Sequence, residues 1–179
     1  MDYKEYSIED NELVELSKLK VGFIPKEDFI KIHQNSIIVT VDILIWYNSG
    51  FLLVQRDNVP ANGELWNIGG RIERGVSLEE SVRKKVKSEC NLSLKNMKNL
   101  GVSRSLWKTD PFGHGKGTDT LTFMYLAEGV GELKLDKLHS NPLIVDKKKF
   151  EEIKHSFHPF MSDFFEIAFK DKWFLNLNE

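Results

Sequence analysis

The chain is 179 residues long, a length that suits one domain with a substantial buried core. Its 25 basic and 27 acidic side chains give a net charge near −2, which indicates neither a general nucleic-acid binder nor a binder of membrane surfaces. The single cysteine, Cys90, excludes an intramolecular disulfide and is typical of a reducing compartment.

The start of the chain and its longest apolar run predict a cytoplasmic protein. Residues 1–6 contain neither a basic region nor an apolar one, so the sequence predicts no signal peptide. The run from Ile37 to Tyr47 is short for a membrane span and carries Asp42 at its centre. We therefore expect no membrane partner and no nucleic-acid partner.

The first part of the chain predicts two helices followed by a strand hairpin. Ser7 to Leu19 has leucines along one side and a serine cap, and Pro25 opens a second helix. Ile37 to Tyr47 is β-branched and continuous, as in a strand buried on both faces. Asn48-Ser49-Gly50 is typical of a turn, so Phe51 to Arg56 is predicted to return as the partner strand.

A loop from Pro60 to Glu64 and a short strand from Leu65 to Ile68 lead to the central helix. Ser77 and Glu80 have the spacing of a capping box at its start. Apolar side chains then recur every four residues and predict one buried stripe, which consists of Leu78, Val82, Val86 and Cys90.

The rest of the chain predicts more strands and two final helices. Strands are expected at Gly101–Leu106, Asp119–Leu126 and Leu143–Val145, and helices at Asp146–Lys154 and Pro159–Phe169. Groups of strands around a central helix, with helices at both ends, indicate an α+β layered domain.

Gly69 and Gly70 precede the central helix, where a glycine loop would let the backbone approach a ligand closely. Glu89 lies beside the buried stripe, so its carboxylate could reach back to these glycines. Mg²⁺ is often held by one or two carboxylates together with phosphate oxygens. One carboxylate, one backbone carbonyl and a diphosphate would therefore make a lean magnesium site. The pattern equally allows Glu89 to pair with Lys85, one turn earlier.

Further positions on both sides of the glycines extend this pattern: Phe29, Asp42, Arg56, Pro60, Ala61, Gly63, Trp66, Arg71, Leu78, Glu79, Leu92, Trp107, Gly117, Thr118, Asp119, His139 and His158. Together they resemble the GDP-mannose mannosyl hydrolase branch of the Nudix superfamily, over roughly Phe23 to Phe165. The resemblance implies a Nudix-like α/β/α sandwich with a mixed sheet, a glycine loop and a Nudix-type helix. It divides the chain into a helical N-terminal extension (1–20) and a single domain (21–179).

The resemblance also implies a reaction. Members of that branch attack the anomeric carbon of a nucleotide sugar with water, releasing GDP and an inverted sugar, and they keep only the acid that matches Glu89. The implied cofactor is Mg²⁺, with Mn²⁺ as a possible substitute, and its main task is to stabilise the GDP leaving group. The implied partners are a nucleotide-sugar substrate and a second copy of the chain, in a homodimer whose N-terminal part crosses to the neighbouring site.

Residue roles are implied in the same way. The Gly69 carbonyl and the Glu89 carboxylate would hold the metal, and Arg56 and Arg71 would meet the diphosphate and the charge that develops on it. His139 would act as the general base, because an imidazole titrates near neutral pH.

Four more positions are implied to bind the substrate. Asp42 would lie near the sugar, and Asp28 and Phe23 near the nucleotide base. Lys84 stands where the branch has an arginine, so it keeps the charge but loses the bidentate fork.

Several positions depart from the branch. Leucine replaces a metal-binding glutamine at Leu138, and other departures are Val76, Lys85, Ser88, Thr109, Ser140 and Asn141. An expected tyrosine is either Met124 at strict register or Tyr125 one position later. Simpler interpretations also stay open, in which Asp42 is a satisfied buried carboxylate, Arg56 a surface charge and His139 an ordinary loop histidine.

Three functions therefore remain. The first is hydrolysis of GDP-mannose or a related GDP-hexose to GDP and free sugar. The second is a catalytically weak scaffold that binds a nucleotide sugar or a protein. The third is phosphoanhydride cleavage to GMP and sugar 1-phosphate, which the basic and hydroxyl side chains of Lys85 and Ser88 disfavour.

Overall fold

The computed structural model describes Tyr6, residues 15–20 and residues 22–171. In this part of the chain a mixed sheet of seven strands forms the centre. The strands are β1 (Ile38–Tyr47), β2 (Gly50–Arg56), β3 (Leu65–Trp66), β4 (Ile68–Arg71), β5 (Ser93–Trp107), β6 (Thr118–Val130) and β7 (His139–Val145). The order is β3-β2-β1-β6-β5, while β4 pairs with β1 and β7 with β2. Strands β1 and β6 are parallel, and the other pairs are antiparallel.

Helices cover both faces of the sheet. They are α1 (Lys26–Asn35), α2 (Leu78–Cys90), α3 (Lys147–Ile153) and α4 (Pro159–Lys170), with short 3-10 helices at Leu16–Leu19 and Lys154–Ser156. The predicted apolar stripe of α2 is fully or almost fully buried against one face. Phenylalanines of α3 and α4 pack on the other face. The predicted α+β fold, an α/β/α sandwich with a mixed sheet, is thus confirmed.

Residues of β1 alternate between these two faces, as the two-residue period of a strand requires. Val41, Ile43 and Ile45 belong to the core beneath α2, whereas Leu44 belongs to the core beneath α4. On the face of Leu44, nearer the start of the strand, Asp42 lines an open cavity instead. The change from core to cavity along one strand face positions the candidate site.

Two local predictions are confirmed by backbone geometry. Asn48 and Ser49 have φ values of 50° and 67° between the paired strands β1 and β2, which is a two-residue hairpin turn of type I′. Ser77 caps α2, because its hydroxyl accepts a hydrogen bond of 3.2 Å from the backbone N–H of Glu80. The carboxylate of Glu80 contacts Lys84, 3.2 Å away.

Three other predictions were wrong in their boundaries. Gly69 and Gly70 lie in strand β4, paired with β1, and not in a loop. Strand β5 begins at Ser93 rather than Gly101, because its polar first half pairs with β6. That pairing includes two register shifts. Strand β7 begins at His139 rather than Leu143, since His139 pairs with Arg56 on β2.

The helix predictions are confirmed to within a residue or two in the described part. Pro25 directly precedes α1, and α3 and α4 match the two final helices that the sequence predicts. Residues 7–14 of the first predicted helix lie outside the described residues, and Leu16–Leu19 forms a 3-10 helix. No helix in the described ranges has both the length and the apolar character that crossing a membrane requires.

Candidate active site

A cavity of about 250 Å³ opens between the sheet, α1 and the loop of residues 108–117 that joins β5 to β6. Most of its lining side chains fall into three groups: the aromatic Phe29, Trp66, Trp107 and Phe112, the hydroxyl-bearing Thr40, Ser105, Thr118, Thr120 and Thr122, and the charged Asp42, Arg56 and Arg71. Aromatic faces, hydroxyls and guanidinium groups in one cavity suit a ligand that carries both phosphate and sugar.

Asp42 brings a titratable carboxyl group to the floor of this cavity. Burial raises the pKa of Asp42 to about 7, although the nearby Arg56 guanidinium and hydrogen bonds from the Asn67 and Trp66 side chains favour the charged form. The two side-chain hydrogen bonds agree with the simpler interpretation of a satisfied buried carboxylate, while the raised pKa and the position in the cavity agree with a ligand contact.

Gly69 lies opposite Asp42 on the neighbouring strand, and the close approach explains the glycine. A Cβ at this position would collide with the Asp42 carboxylate and the Val41 carbonyl. The N–H of Ile72 donates to the Val39 carbonyl, so Val39 and Ile72 form a hydrogen-bonded pair between β1 and β4. Hydrogen-bonded and non-hydrogen-bonded pairs alternate along antiparallel strands, which makes Asp42–Gly69 a non-hydrogen-bonded pair. The Gly69 carbonyl consequently points away from β1.

Glu89, at the end of α2, has one occupied and one free carboxylate oxygen. Oε1 lies 3.5 Å from the Lys85 ammonium, whereas Oε2 is buried without a hydrogen-bond partner in the described structure. Burial raises the pKa of Glu89, and the charge of Lys85 acts against that shift. The pairing with Lys85 that the sequence left open is present, yet a buried free oxygen calls for a further partner.

Glu89 Oε2 and the Gly69 carbonyl oxygen suit a divalent cation that takes few of its ligands from the protein. Mg²⁺ prefers oxygen ligands and takes several of them from water or phosphate. A carboxylate oxygen and a backbone carbonyl are therefore enough ligands from the protein. No cluster of three or more histidine, cysteine or acidic side chains suited to a metal occurs among the described residues. The Glu89 and Gly69 oxygens suit one cation that a diphosphate also binds.

Arg56 and Arg71 approach the cavity from different elements. Arg56, at the end of β2, is mostly buried, with Nε lacking a partner in the described structure and a terminal nitrogen 3.3 Å from Asn58 Oδ1. Burial lowers the pKa of its guanidinium, partly offset by Asp42 and Glu89. Arg71 ends β4, with its guanidinium carbon 4.4 Å above the centre of the Phe29 ring. Both have nitrogen donors to offer to an anion.

His139 is held by an acidic side chain that the sequence interpretation missed. Its Nδ1 lies 2.8 Å from Oδ1 of Asp136, which also accepts the backbone N–H of Leu138 at 2.9 Å. Because the carboxylate accepts from Nδ1–H, the lone pair of His139 is on Nε2. Strand pairing sets His139 opposite Arg56, and its positive form would interact with Glu89. An aspartate three residues before the histidine was the signal available in the sequence.

Six predicted site residues are absent from the cavity lining. Gly69, Glu89 and His139 lie beside it, since they are neighbours of Asp42 or Arg56, whereas three predicted substrate residues lie elsewhere. Phe23 is 93% exposed, in a separate surface groove next to Arg71. Asp28 is exposed on α1, and its carboxylate lies 3.1 Å from the Lys31 ammonium. Lys84 contacts Glu80 and Glu73 beside α2 and lines a second depression, also next to Arg71. Within one chain these residues do not meet Asp42 and Arg56.

The structure shows the surroundings of several positions that depart from the resemblance. Val76 is buried, and Leu138 is 48% exposed. Met124 lies on the face of the sheet that carries the cavity, whereas Tyr125 packs beneath α2. Tyr125 therefore cannot replace the expected tyrosine, and strict register identifies Met124 as its counterpart.

Two tryptophans belong both to the core and to the cavity lining, and a histidine packs beside them. Trp66 is buried and Trp107 packs against the same core, at 5.3 Å between ring centres, and both line the cavity. His158 caps α4 by accepting the Phe160 backbone N–H and packs beside both tryptophans.

The sequence profile of the NUDIX domain matches residues 37–167 of the chain. The chain belongs to the Nudix domain family. Membership supports, in general terms, hydrolysis of a nucleotide derivative with a divalent metal such as Mg²⁺ or Mn²⁺. The resemblance assigns the glycines of β4 and the helix α2 to the Nudix box, the glycine-and-helix segment of the family.

One curated relative of this Nudix protein is the low-salt glycan biosynthesis protein Agl8 of Haloferax volcanii. It is 25% identical over 147 residues, which cover 80% of this chain and 89% of Agl8.

Solved structures show the same fold. A NUDIX hydrolase from Nitrosomonas europaea superimposes with a TM-score of 0.59 at 20% identity, covering 74% of this chain and 88% of that one. The MutT protein of Methanosarcina mazei gives 0.56 at 20% identity, over 80% and 96%. The NUDIX domain of Shewanella oneidensis NrtR, crystallised with ADP ribose, gives 0.52 at 17% identity, over 72% and 88%.

Proposed function

We propose that this Nudix protein hydrolyses a nucleotide sugar, GDP-mannose or a related GDP-hexose, to GDP and free sugar. The observation that carries the proposal is the Asp136–His139 pair opposite Arg56. It combines an oriented imidazole, with its lone pair on Nε2, and a buried guanidinium whose Nε has no partner among the described residues. A base and an anion-binding group are what water attack with a diphosphate leaving group requires.

The reaction would proceed by displacement at the anomeric carbon. His139 Nε2 takes a proton from water while the water oxygen bonds to that carbon from the face opposite the diphosphate. The bond from the anomeric carbon to the phosphate oxygen breaks, and its electron pair leaves with GDP, giving an inverted sugar. Arg56 and Arg71 meet the negative charge that the diphosphate gains. A divalent cation held by the Gly69 carbonyl and Glu89 Oε2 would neutralise part of that charge.

Other features support a sugar nucleotide. The cavity joins aromatic faces and threonine hydroxyls to the two arginines, which matches a ligand with both a polyhydroxyl and a diphosphate part. The relative Agl8 is named for glycan biosynthesis, and the NrtR domain was crystallised with ADP ribose, a nucleotide joined to a sugar.

The catalytically weak binding scaffold is the second candidate, and the Lys85–Glu89 ion pair favours it. An ammonium group 3.5 Å from the remaining acid of the box competes with a cation for that acid. Phosphoanhydride cleavage has less support, because Lys85 and Ser88 supply no carboxylate for a second cation and the Ser88 hydroxyl bonds to the Lys85 carbonyl.

We further propose a homodimer, one domain over residues 21–179 after the extension of residues 1–20, and a cytoplasmic location. The almost fully exposed Phe23 lies in a groove with Arg71, where a second copy could bury the ring and complete a base site with Asp28. Buried, unpaired Cys90 is compatible with a reducing compartment.

The test is ³¹P NMR of the protein with GDP-mannose and Mg²⁺, run in water enriched in ¹⁸O. Release of GDP, with the label in the sugar and none in GDP, supports attack at the anomeric carbon. GMP and sugar 1-phosphate would instead favour phosphoanhydride cleavage. Intact GDP-mannose that still binds in calorimetry would favour the binding scaffold.

A further inference from the structure

Two histidines that the proposed reaction does not use meet across the cavity wall. His33 lies on α1 and His114 lies in the loop of residues 108–117, yet their Nδ1 and Nε2 atoms are 2.7 Å apart. The His33 side chain lines the cavity, and its ring packs edge-on against Phe112 at 5.2 Å between ring centres. The pair therefore joins a helix and a loop at the ligand cavity.

Hydrogen bonds determine the proton positions in this pair. His114 Nδ1 accepts the backbone N–H of Lys116 at 3.2 Å and lies 3.5 Å from Asp110 Oδ2. In the neutral ring the shorter contact makes Nδ1 the acceptor, so the proton is on Nε2. His114 Nε2–H then donates to His33 Nδ1, which leaves the proton of His33 on its own Nε2. Burial lowers the pKa of His33, a positive charge on His114 would lower it further, and the Asp110 carboxylate acts against that shift.

The loop that carries His114 is held by one buried carboxylate. Asp110 accepts the backbone N–H groups of Phe112, His114 and Gly115 at 2.9, 3.0 and 2.9 Å. His114 is thus fixed before any ligand arrives, and it fixes the orientation of His33 in turn. A binding group that is oriented before the ligand arrives loses less conformational entropy on binding.

The cavity that His33 lines is rich in hydroxyl groups. Thr118, Thr120 and Thr122 follow one another along one face of β6 and line the cavity together with His33. Since His33 Nδ1 already accepts from His114, Nε2–H is the donor that the ring has left. His33 lines both this cavity and a second surface depression that includes Lys116 and Asp119. Aromatic rings, hydroxyls and a neutral N–H donor suit the hydroxyl groups of a sugar, whereas a diphosphate suits the arginines.

We propose that His33 binds the sugar of the ligand by donating Nε2–H to a hydroxyl oxygen, and that His114 is its positioning residue. The inference rests on the proposed function for the identity of the sugar nucleotide. It adds a specificity-determining contact on α1, remote in sequence from the glycines and from α2.

The first experiment compares two ligands by calorimetry. A His33→Phe variant keeps a ring of similar size but has no donor. We expect it to bind GDP-mannose about tenfold more weakly and to bind GDP within about twofold of the unchanged protein. His114→Gln should show a smaller loss of the same selectivity, and the exposed His155→Gln should show none. Equal losses for both ligands would overturn the inference.

The second experiment is histidine ¹⁵N–¹H NMR of the unaltered protein, with the His33 signals assigned by their loss in the variant. Addition of GDP-mannose, and of free mannose at high concentration, should shift the His33 Nε2 signal. A signal that neither compound moves overturns the sugar contact, even if GDP is released. A shifted signal without GDP release supports the contact and contradicts hydrolysis, so the two proposals fail separately.

Discussion

Asp136 Oδ1 lies 2.8 Å from Nδ1 of His139, and this contact determines which ring nitrogen is basic. Asp136 also accepts the Leu138 backbone N–H, and its own N–H donates to the Glu89 carbonyl at 2.9 Å. The segment before β7 is thereby tied to the end of α2, where the remaining acid of the Nudix box is located. The proposed base and the proposed metal-binding acid are held by one set of contacts.

We expect His139→Gln to lower kcat by about 10²- to 10⁴-fold, because it removes the base and keeps a polar side chain. GDP binding, measured by calorimetry, should stay within about twofold. His155→Gln, on the surface, is the matched control and should retain full turnover. An active His139→Gln variant would contradict the assignment of the base.

Asp136→Asn tests the tautomer separately. The amide can donate to Nδ1, which would move the ring proton to Nε2 and leave no lone pair for water. We expect kcat to fall at least tenfold with KM little changed, as for a group that acts in the transition state. A loss confined to KM would instead indicate that Asp136 only shapes the binding site.

Lys85 is expected to weaken metal binding, since its ammonium shares Glu89 with the cation. Lys85→Met should therefore raise the affinity for Mn²⁺ by about three- to tenfold in the absence of nucleotide, measured by electron paramagnetic resonance. Lys87→Met, on the same helix but paired with Asn91, is the control and should leave Mn²⁺ affinity unchanged. Unchanged or lower affinity in Lys85→Met would mean that Lys85 does not compete with the metal.

The raised pKa of Asp42 predicts a pH-dependent stability. The folded carboxyl group titrates near 7 and the unfolded one near 3.8, so the folded state binds more protons between these values. The contribution of Asp42 to the free energy of unfolding therefore falls as the pH rises from about 4 to about 7. Asp42→Asn should gain stability relative to the unchanged protein, by on the order of 2 kcal/mol, between about pH 5 and about pH 8. Urea unfolding measures this difference, and a difference that does not vary with pH would contradict the shift.

The proposed dimer predicts a role for Phe23. Analytical ultracentrifugation at micromolar concentration should give the mass of two chains, and Phe23→Ser should move the equilibrium toward one. Ile167→Ser removes an exposed apolar side chain from α4 and should leave the dimer intact. A monomeric unchanged protein would remove the proposal.

Much of the fold could be predicted because its signals are local. The four-residue spacing of Leu78, Val82, Val86 and Cys90 and the Ser77 cap identified α2, and Asn48-Ser49 identified the hairpin. The polar first half of β5 carried no such signal, because its strand conformation comes from pairing with β6. The same reason applies to His139. A local interpretation placed it in a loop, whereas pairing with β2 makes it part of strand β7.

By itself the sequence determined the layered α+β fold, the helix of the Nudix box and the loss of most of its acids, since periodicity, caps and residue identity are local properties. Only the tertiary structure decided that Glu89 has both Lys85 and a free buried oxygen, that Asp136 orients His139, and that His33 meets His114. It also separated Asp28, Phe23 and Lys84 from the cavity that holds Asp42 and Arg56. Such outcomes depend on strand register and on contacts between distant segments, and no short stretch of sequence encodes them.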